Sequence, residues 1–240
     1  LDSRAPISSV NPALNKLAEG KKILYVFSKL DLADEGKVKE IAKNYRKANC
    51  DYVCLNSTLS GSGKIIKQKI NSLCSEKLAK FKAKGIKTSI RALVVGIPYS
   101  GKSTLVNNLC GKAKAITGNK PGVTKFNKWV AIGDNIELCD TPGTLYPNLE
   151  NQEIAKKLCL IGSIKDQIFD EVELALELIK MLEEKYPTAV EERFKGAKTL
   201  EEIAEKRGYK LKEGEPDIER TASAVIDDFR KGRMGRITLD

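Results

Sequence analysis

Apolar positions along the chain follow one texture up to about residue 150 and another beyond it. The run KILYVF, Lys22 to Phe27, is apolar, β-branched and aromatic, the composition of a short strand buried in a parallel sheet. A helical pattern over residues 35–49 follows, then a second strand over 52–55 and a helix over 63–75. Strands alternating with helices predict a parallel sheet. The basic stretch 76–90 carries the helix towards Gly85 and serves as a connector. Arg91 to Val95 then predicts a strand, residues 102–109 a helix, and residues 129–132 and 136–138 a hairpin turning at Gly133, Asp134 and Asn135.

Beyond Pro147 the strand signals nearly vanish. Residues 170–186 repeat apolar positions at helical spacing, and Gly196, Gly208, Gly214 with Pro216, and Gly232 divide the remainder into several helices. The pattern predicts an α/β domain over residues 1–150 and a smaller all-α domain over 151–240.

Length and composition narrow the class. A chain of 240 residues can bury one sizeable core and a smaller second one. It has no apolar run near the roughly 20 residues of a membrane span, and its start lacks the pattern of a signal peptide. The six cysteines form no CxxC pair and the chain has no histidine, which removes the usual zinc sites and fits reduced thiols in a cytoplasmic protein without a membrane partner. The net charge of +10 is uneven: Lys and Arg outnumber Asp and Glu by 18 to 8 in residues 1–90 and by 7 to 4 in 91–150, but are outnumbered 17 to 20 in 151–240. The first 150 residues therefore carry +13 and the rest −3, so a polyanion suits the N-terminal part, although lysines that merely solvate helix faces would give the same count.

Chemistry concentrates in short motifs. Gly96-Ile97-Pro98-Tyr99-Ser100-Gly101-Lys102-Ser103 fits GxxxxGK[ST] between a predicted strand and a predicted helix, the setting of a phosphate loop. There the backbone N–H groups of Tyr99, Ser100, Gly101, Lys102, Ser103 and Thr104 face phosphates, Lys102 reaches the β and γ oxygens, and Ser103 coordinates Mg²⁺. Asp140-Thr141-Pro142-Gly143 fits DxxG, with Asp140 holding Mg²⁺ through water and the Gly143 N–H sensing the γ-phosphate. Between them Thr124, after Pro121-Gly122-Val123, is the candidate switch threonine that offers its hydroxyl to the metal. Lys102 and Thr124 are the candidate catalytic residues.

Ser28-Lys29-Leu30-Asp31 directly follows the strand KILYVF. Asp31 can accept from the ring N–H and the exocyclic amine of guanine, which adenine cannot offer, and the Lys29 stem can cover the base. Asn56-Ser57-Thr58, after the next strand, supplies a backbone N–H to the guanine carbonyl. As a bare tetrapeptide the first motif could be coincidence. Its position ahead of the phosphate loop inverts the ordinary order and implies a circularly permuted P-loop NTPase fold.

Taken in this order, the motifs resemble the circularly permuted GTPases of the YlqF/YawG type, and among them the bacterial ribosome biogenesis GTPase A (RbgA, YlqF) branch. Asp2-Ser3-Arg4-Ala5-Pro6 is similar to the D-A-R-x-P opening of that family, and Pro216 to Arg220 and Gly235-Arg236 extend the likeness over nearly the whole chain. The resemblance implies GTP hydrolysis with Mg²⁺, binding of GTP and GDP, and a role in late assembly of the large ribosomal subunit precursor, in contact with rRNA and ribosomal proteins, by a monomer. It also implies an additional N-terminal segment and first strand before Asp2, with a histidine that assists hydrolysis, so the chain is expected to start within the domain. Three residues depart from the family pattern. Ser28 replaces an asparagine, Tyr99 replaces the asparagine that ligates potassium in related GTPases, and Thr144 with Leu145 follows DTPG, leaving no water-positioning base to nominate. Potassium is therefore not expected as a cofactor.

The order of motifs gives the switch its logic: DTPG lies a few residues before the helical region, so γ-phosphate contacts at Thr124 and Gly143 can bias how residues 151–240 sit. A nucleotide-gated RNA-binding module with little intrinsic hydrolysis is the alternative. For the helical region, plain packing competes with RNA contact, and Lys231, Arg233 and Arg236 are the better RNA candidates.

Overall fold

A computed structural model of the chain describes residues 1–59, 61–110, 128–133, 135–144 and 151–240. Helix α1 (Pro12–Leu17) begins where the Asn11 side chain accepts the Ala13 N–H and Pro12 occupies the first turn. Strand β1 (Ile23–Phe27) leads through a single 3₁₀ turn at Leu30–Leu32 to α2 (Glu35–Lys43), which Asp34 caps by accepting the Lys37 N–H. Strand β2 (Cys50–Cys54) runs parallel to β1, with Ile23 opposite Cys50 and Phe27 opposite Cys54. Helix α2 stops short of the predicted residue 49 for a tertiary reason. The Tyr45 ring packs edge-on against Tyr25 and Phe27, at centroid distances of 4.7 and 5.3 Å, and turns the chain back to the sheet.

Helices α3 (Ser62–Leu73) and α4 (Ser75–Ala83) follow, so most of the expected basic connector is helical, with Leu78 packed on the core. Strand β3 (Ile90–Val94) then enters the 96–101 loop and α5 (Lys102–Cys110) leaves it. Strands β4 (Lys128–Ala131) and β5 (Ile136–Asp140) form the expected antiparallel hairpin, while β3 pairs parallel with β5, giving the order β3-β5-β4. Asp134 of the predicted turn lies outside the described residues. Among the described residues the β1-β2 and β3-β5-β4 groups share no ladder, but one apolar cluster spans both: Val53 of β2 with Leu55 just after it, Ile90 of β3 and Leu138 of β5, together with Ile66 of α3 and Val106 of α5. The architecture is α/β with parallel strands.

The remaining elements are helical: α6 (Gln152–Leu160), α7 (Glu171–Lys185), α8 (Ala189–Arg193), α9 (Leu200–Arg207) and α10 (Ile218–Arg230). Local side chains set where most of them begin. Asn151, Asp170 and Asp217 cap α6, α7 and α10, and Thr199 with Glu202 forms a reciprocal capping box on α9. Leu158, Leu174, Leu178, Leu182 and Phe229 are buried together, and the same cluster takes in Ala5 and Ile97 from the first half of the chain. The final residues return to that half: the Ile237 N–H donates to Leu32 O at 3.2 Å, the Leu239 N–H to Arg4 O at 2.7 Å, and Thr238 Oγ1 to Ser3 O at 3.1 Å. Among the described residues no helix is long and apolar enough to cross a membrane.

Candidate nucleotide-binding site

Strand β3 ends directly in the phosphate-loop sequence, and α5 starts on its lysine. The turn needs left-handed backbone, which Gly101 adopts freely at φ 87° while Tyr99 adopts it at φ 65° against the preference of a bulky residue. Lys102 Nζ bridges the inside of the loop, donating to Gly96 O at 3.1 Å and Ile97 O at 2.8 Å. Burial lowers the pKa of this ammonium to about 8, against the opposing pull of Asp140. Ser100 is buried, with its hydroxyl donating to Ile97 O at 2.9 Å. Thr104 follows in the first turn of α5.

Strand β5 delivers Asp140 to the same place. Ser103 Oγ donates to Asp140 Oδ2 at 2.9 Å, and Asp140 is 1 % exposed. Its other oxygen, Oδ1, is buried without a hydrogen-bond partner among the described residues. A hydroxyl beside a carboxylate with a spare buried oxygen is a donor set suited to a hard divalent cation that draws its other ligands from phosphate and water. Gly143 lies against the phosphate loop so closely that a Cβ there would stand 2.6 Å from Pro98 Cα, and the next N–H, of Thr144, donates to Gly96 O at 3.0 Å. Only glycine fits that approach. Thr124, the expected switch threonine, lies outside the described residues, as does Leu145.

The base motif meets the loop from the other side. Ser28 Oγ donates to Ser100 O at 2.5 Å and lies 2.9 Å from Leu1 O. Lys29 has left-handed backbone at φ 58°, sits 5.7 Å from the Tyr99 ring centroid, and places Nζ 2.9 Å from Asp2 Oδ2. Leu30 N–H donates to Leu55 O at 3.4 Å, so the two base motifs leave adjacent strand ends together, and Asp31 is exposed on the 3₁₀ turn. In the second motif Asn56 Oδ1 accepts the Thr58 N–H at 2.9 Å and hydroxyl at 2.7 Å, closing an Asx turn. Asn108 of α5 holds this turn by donating to Ser57 O at 2.7 Å and Leu59 O at 3.1 Å.

The structure thus gathers Ser28, Lys29, Tyr99, Ser100, Gly101, Lys102, Ser103, Asp140 and Gly143 around one loop, with Leu30, Asp31, Asn56 and Ser57 on the neighbouring strand ends. Sequence reasoning did not single out Asn108, because α5 carries other polar side chains, among them Ser103, Thr104 and Asn107, and nothing in the pattern sets Asn108 apart. Nor did it assign a role to Ile97, a phosphate-loop residue that is fully buried in the helical core. Of the basic residues nominated for RNA, Lys231 is paired with Asp227 at 2.8 Å and Arg233 with Asp228 at 2.9 Å, where Arg193 and Arg207 also converge. Arg236 is exposed.

Known proteins resemble the chain over its full length. The model of the family described as "50S ribosome-binding GTPase" matches residues 91–210, starting at the strand before the phosphate loop and leaving the Ser28–Asp31 motif outside. A Ribosome biogenesis GTPase A from Bacillus licheniformis is 35 % identical over 248 residues, covering 100 % of this chain and 88 % of that protein. One from Thermotoga maritima is 30 % identical over 242 residues, covering 100 % and 83 %. Among solved structures, GNP-bound YlqF from T. maritima is similar with a TM-score of 0.67 at 25 % identity, covering 100 % of this chain and 89 % of that one.

Proposed function

The chain belongs to the ribosome biogenesis GTPase A family, and from that premise we propose how this GTPase uses the site just described. GTP and GDP bind with the phosphates on residues 96–104 and the guanine between Lys29, Asp31 and the Asn56-Ser57 turn. Residues 1–150 act as a circularly permuted GTPase unit and residues 151–240 as a helical unit that contacts RNA. The substrate of assembly is the large ribosomal subunit precursor, met through its rRNA and proteins in the cytoplasm, by a monomer. The single observation that carries the reading is the Ser28 hydroxyl on the Ser100 carbonyl at 2.5 Å, which joins a motif near the start of the chain to the phosphate loop as one continuous site.

Hydrolysis then runs by in-line attack of water on the γ-phosphate, with little covalent work for the protein and much electrostatic work. Lys102 leaves the carbonyls of Gly96 and Ile97 for the β and γ oxygens. Backbone N–H groups of the loop and of Gly143 hold the charge that develops on the phosphoryl oxygens. Ser103 and Asp140, with Thr124 in the triphosphate state, would hold Mg²⁺, and the ion would supply positive charge to the phosphates. Turnover is slow without the ribosome and rises on the large subunit.

Competition between nucleotides tests the assignment. GTP and GDP should displace a fluorescent guanine nucleotide while ATP does not, and single-turnover hydrolysis should rise on addition of large ribosomal subunits. Equal competition by ATP removes the base-site assignment, and a rate indifferent to subunits removes the ribosomal one.

A further inference from the structure

Two ionisable side chains near the chain start are buried: Asp2 at 0 % exposure and Arg4 at 2 %. Asp2 Oδ2 accepts from Arg4 Nη2 at 2.7 Å and from Lys29 Nζ at 2.9 Å, while Oδ1 accepts from the Arg4 backbone N–H and from Nε, both at 3.0 Å. Burial alone pushes such a carboxyl upwards in pKa, yet Arg4 and Lys29 outweigh it and hold Asp2 well below the ordinary carboxylate range. Arg4 faces a second way as well. Its Nη2 donates to Ile161 O at 2.9 Å and its Nη1 to Arg230 O at 3.3 Å. Ile161 ends α6, and the carbonyls just before it are taken by Arg230, from Nε to Leu160 O at 3.0 Å and from Nη2 to Cys159 O at 2.7 Å.

An unbroken line of polar contacts therefore runs from the base motif to the C-terminal end of α6. A simple fold staple would need only Asp2, Arg4 and the α6 carbonyls. The second cation on Asp2 comes instead from the base motif, and its backbone is held in a left-handed conformation that disfavours a non-glycine residue. A lysine stem is flexible unless its ammonium is anchored. Here Asp2 anchors the ammonium at 2.9 Å, and the same ammonium stands 5.7 Å from the Tyr99 ring centroid, so the end of the stem is fixed.

We propose that Asp2 is a positioning residue of the guanine site: its carboxylate fixes the Lys29 stem where it covers the base, and Arg4 makes that position depend on the docked end of α6. The inference rests on the reading of Lys29 as a base-covering residue. Guanine affinity and the placement of the helical region are then linked through one buried carboxylate.

The test is a competition assay on the full chain, with a fluorescent GDP displaced by GDP, by ADP or by inorganic tripolyphosphate. Asp2→Asn should weaken GDP about tenfold, the scale of one lost charge-assisted hydrogen bond, and leave tripolyphosphate unchanged. The loss should disappear when Asp2→Asn is made in a Lys29→Ala background, since Asp2 acts only through that side chain. Equal weakening of GDP and tripolyphosphate, or an undiminished loss in the Lys29→Ala background, overturns the proposal in favour of a staple. If Asp2→Asn does not fold, Asp2→Glu keeps the buried charge but displaces the anchor by a methylene, and the same selective loss of GDP is expected. Failure of the underlying reading looks different: the unmutated protein would bind GDP and ADP alike.

Discussion

The Ser28 hydroxyl lies 2.5 Å from the Ser100 carbonyl oxygen, so the first residue of the base motif is bonded to the phosphate loop itself. A serine suffices because the loop comes close: a Cβ on Gly101 would stand 3.7 Å from Ser28 Oγ. Ser28→Ala removes the donor and leaves a buried carbonyl without it. A net cost of about 1 kcal/mol for a neutral hydrogen bond corresponds to roughly fivefold in affinity. GDP binding measured by fluorescence titration should weaken by that factor, and unchanged affinity would show that the contact does not support the nucleotide.

Lys102 carries a pH dependence whose sign follows from its environment. Burial lowers its pKa to about 8, while two phosphates restore the charged form on binding. Above about pH 8 the free site has lost its proton and must regain it, so GDP affinity falls as pH rises through 8, by up to tenfold per unit. Calorimetric titration at pH 9 in buffers of different ionisation enthalpy should register uptake of close to one proton, and Lys102→Ala should abolish both the uptake and hydrolysis. Proton release, or no uptake in the unmutated protein, contradicts the placement of Lys102 on the phosphates.

The parts of this site that were legible in the sequence are those whose chemistry is local. A glycine-rich turn between strand and helix, an aspartate at a strand end and a tetrapeptide after an apolar run each declare themselves within a few residues. Contacts that depend on distant chain do not. Arg4 meets the carbonyls of residues 161 and 230, and Asn108 reaches back to Ser57, pairings that no spacing encodes. The same holds for the end of α2, set by Tyr45 packing on the sheet, and for Ile97, whose place in a phosphate loop gave no reason to expect a helical core around it. Gly143 was readable as a glycine, but the Pro98 backbone it faces was not.

Asp140 should reveal the metal. With Oδ2 on Ser103 and Oδ1 buried and unpaired among the described residues, the carboxylate has one oxygen that a cation or its water shell would satisfy. In the unmutated protein, removing Mg²⁺ with a chelator should weaken GTP binding about tenfold or more. Asp140→Asn keeps the shape but loses the charge, so its GTP affinity should be weak with or without Mg²⁺. A chelator effect as large in the variant as in the parent would place the metal elsewhere.

Ile97 makes the strongest claim about coupling, because it belongs to two structures at once. Its backbone carbonyl receives Lys102 Nζ at 2.8 Å, and its side chain is fully buried in the cluster of α6, α7 and α10. When Lys102 turns to a nucleotide, the Ile97 carbonyl loses that donor, and a shift of the loop is felt directly by the helices, since a packed core has little slack. Ile97→Ala removes the apolar link without touching a phosphate ligand. It should cost about 2–4 kcal/mol of stability, visible as an earlier denaturant midpoint, from lost burial and the cavity left behind. The decisive readout is hydrogen exchange. In the unmutated protein GDP should change protection in residues 152–182, and in Ile97→Ala that change should shrink even when GDP saturates the site. Exchange in those helices that ignores GDP in the unmutated protein would mean that nucleotide and helical core are not coupled through this loop.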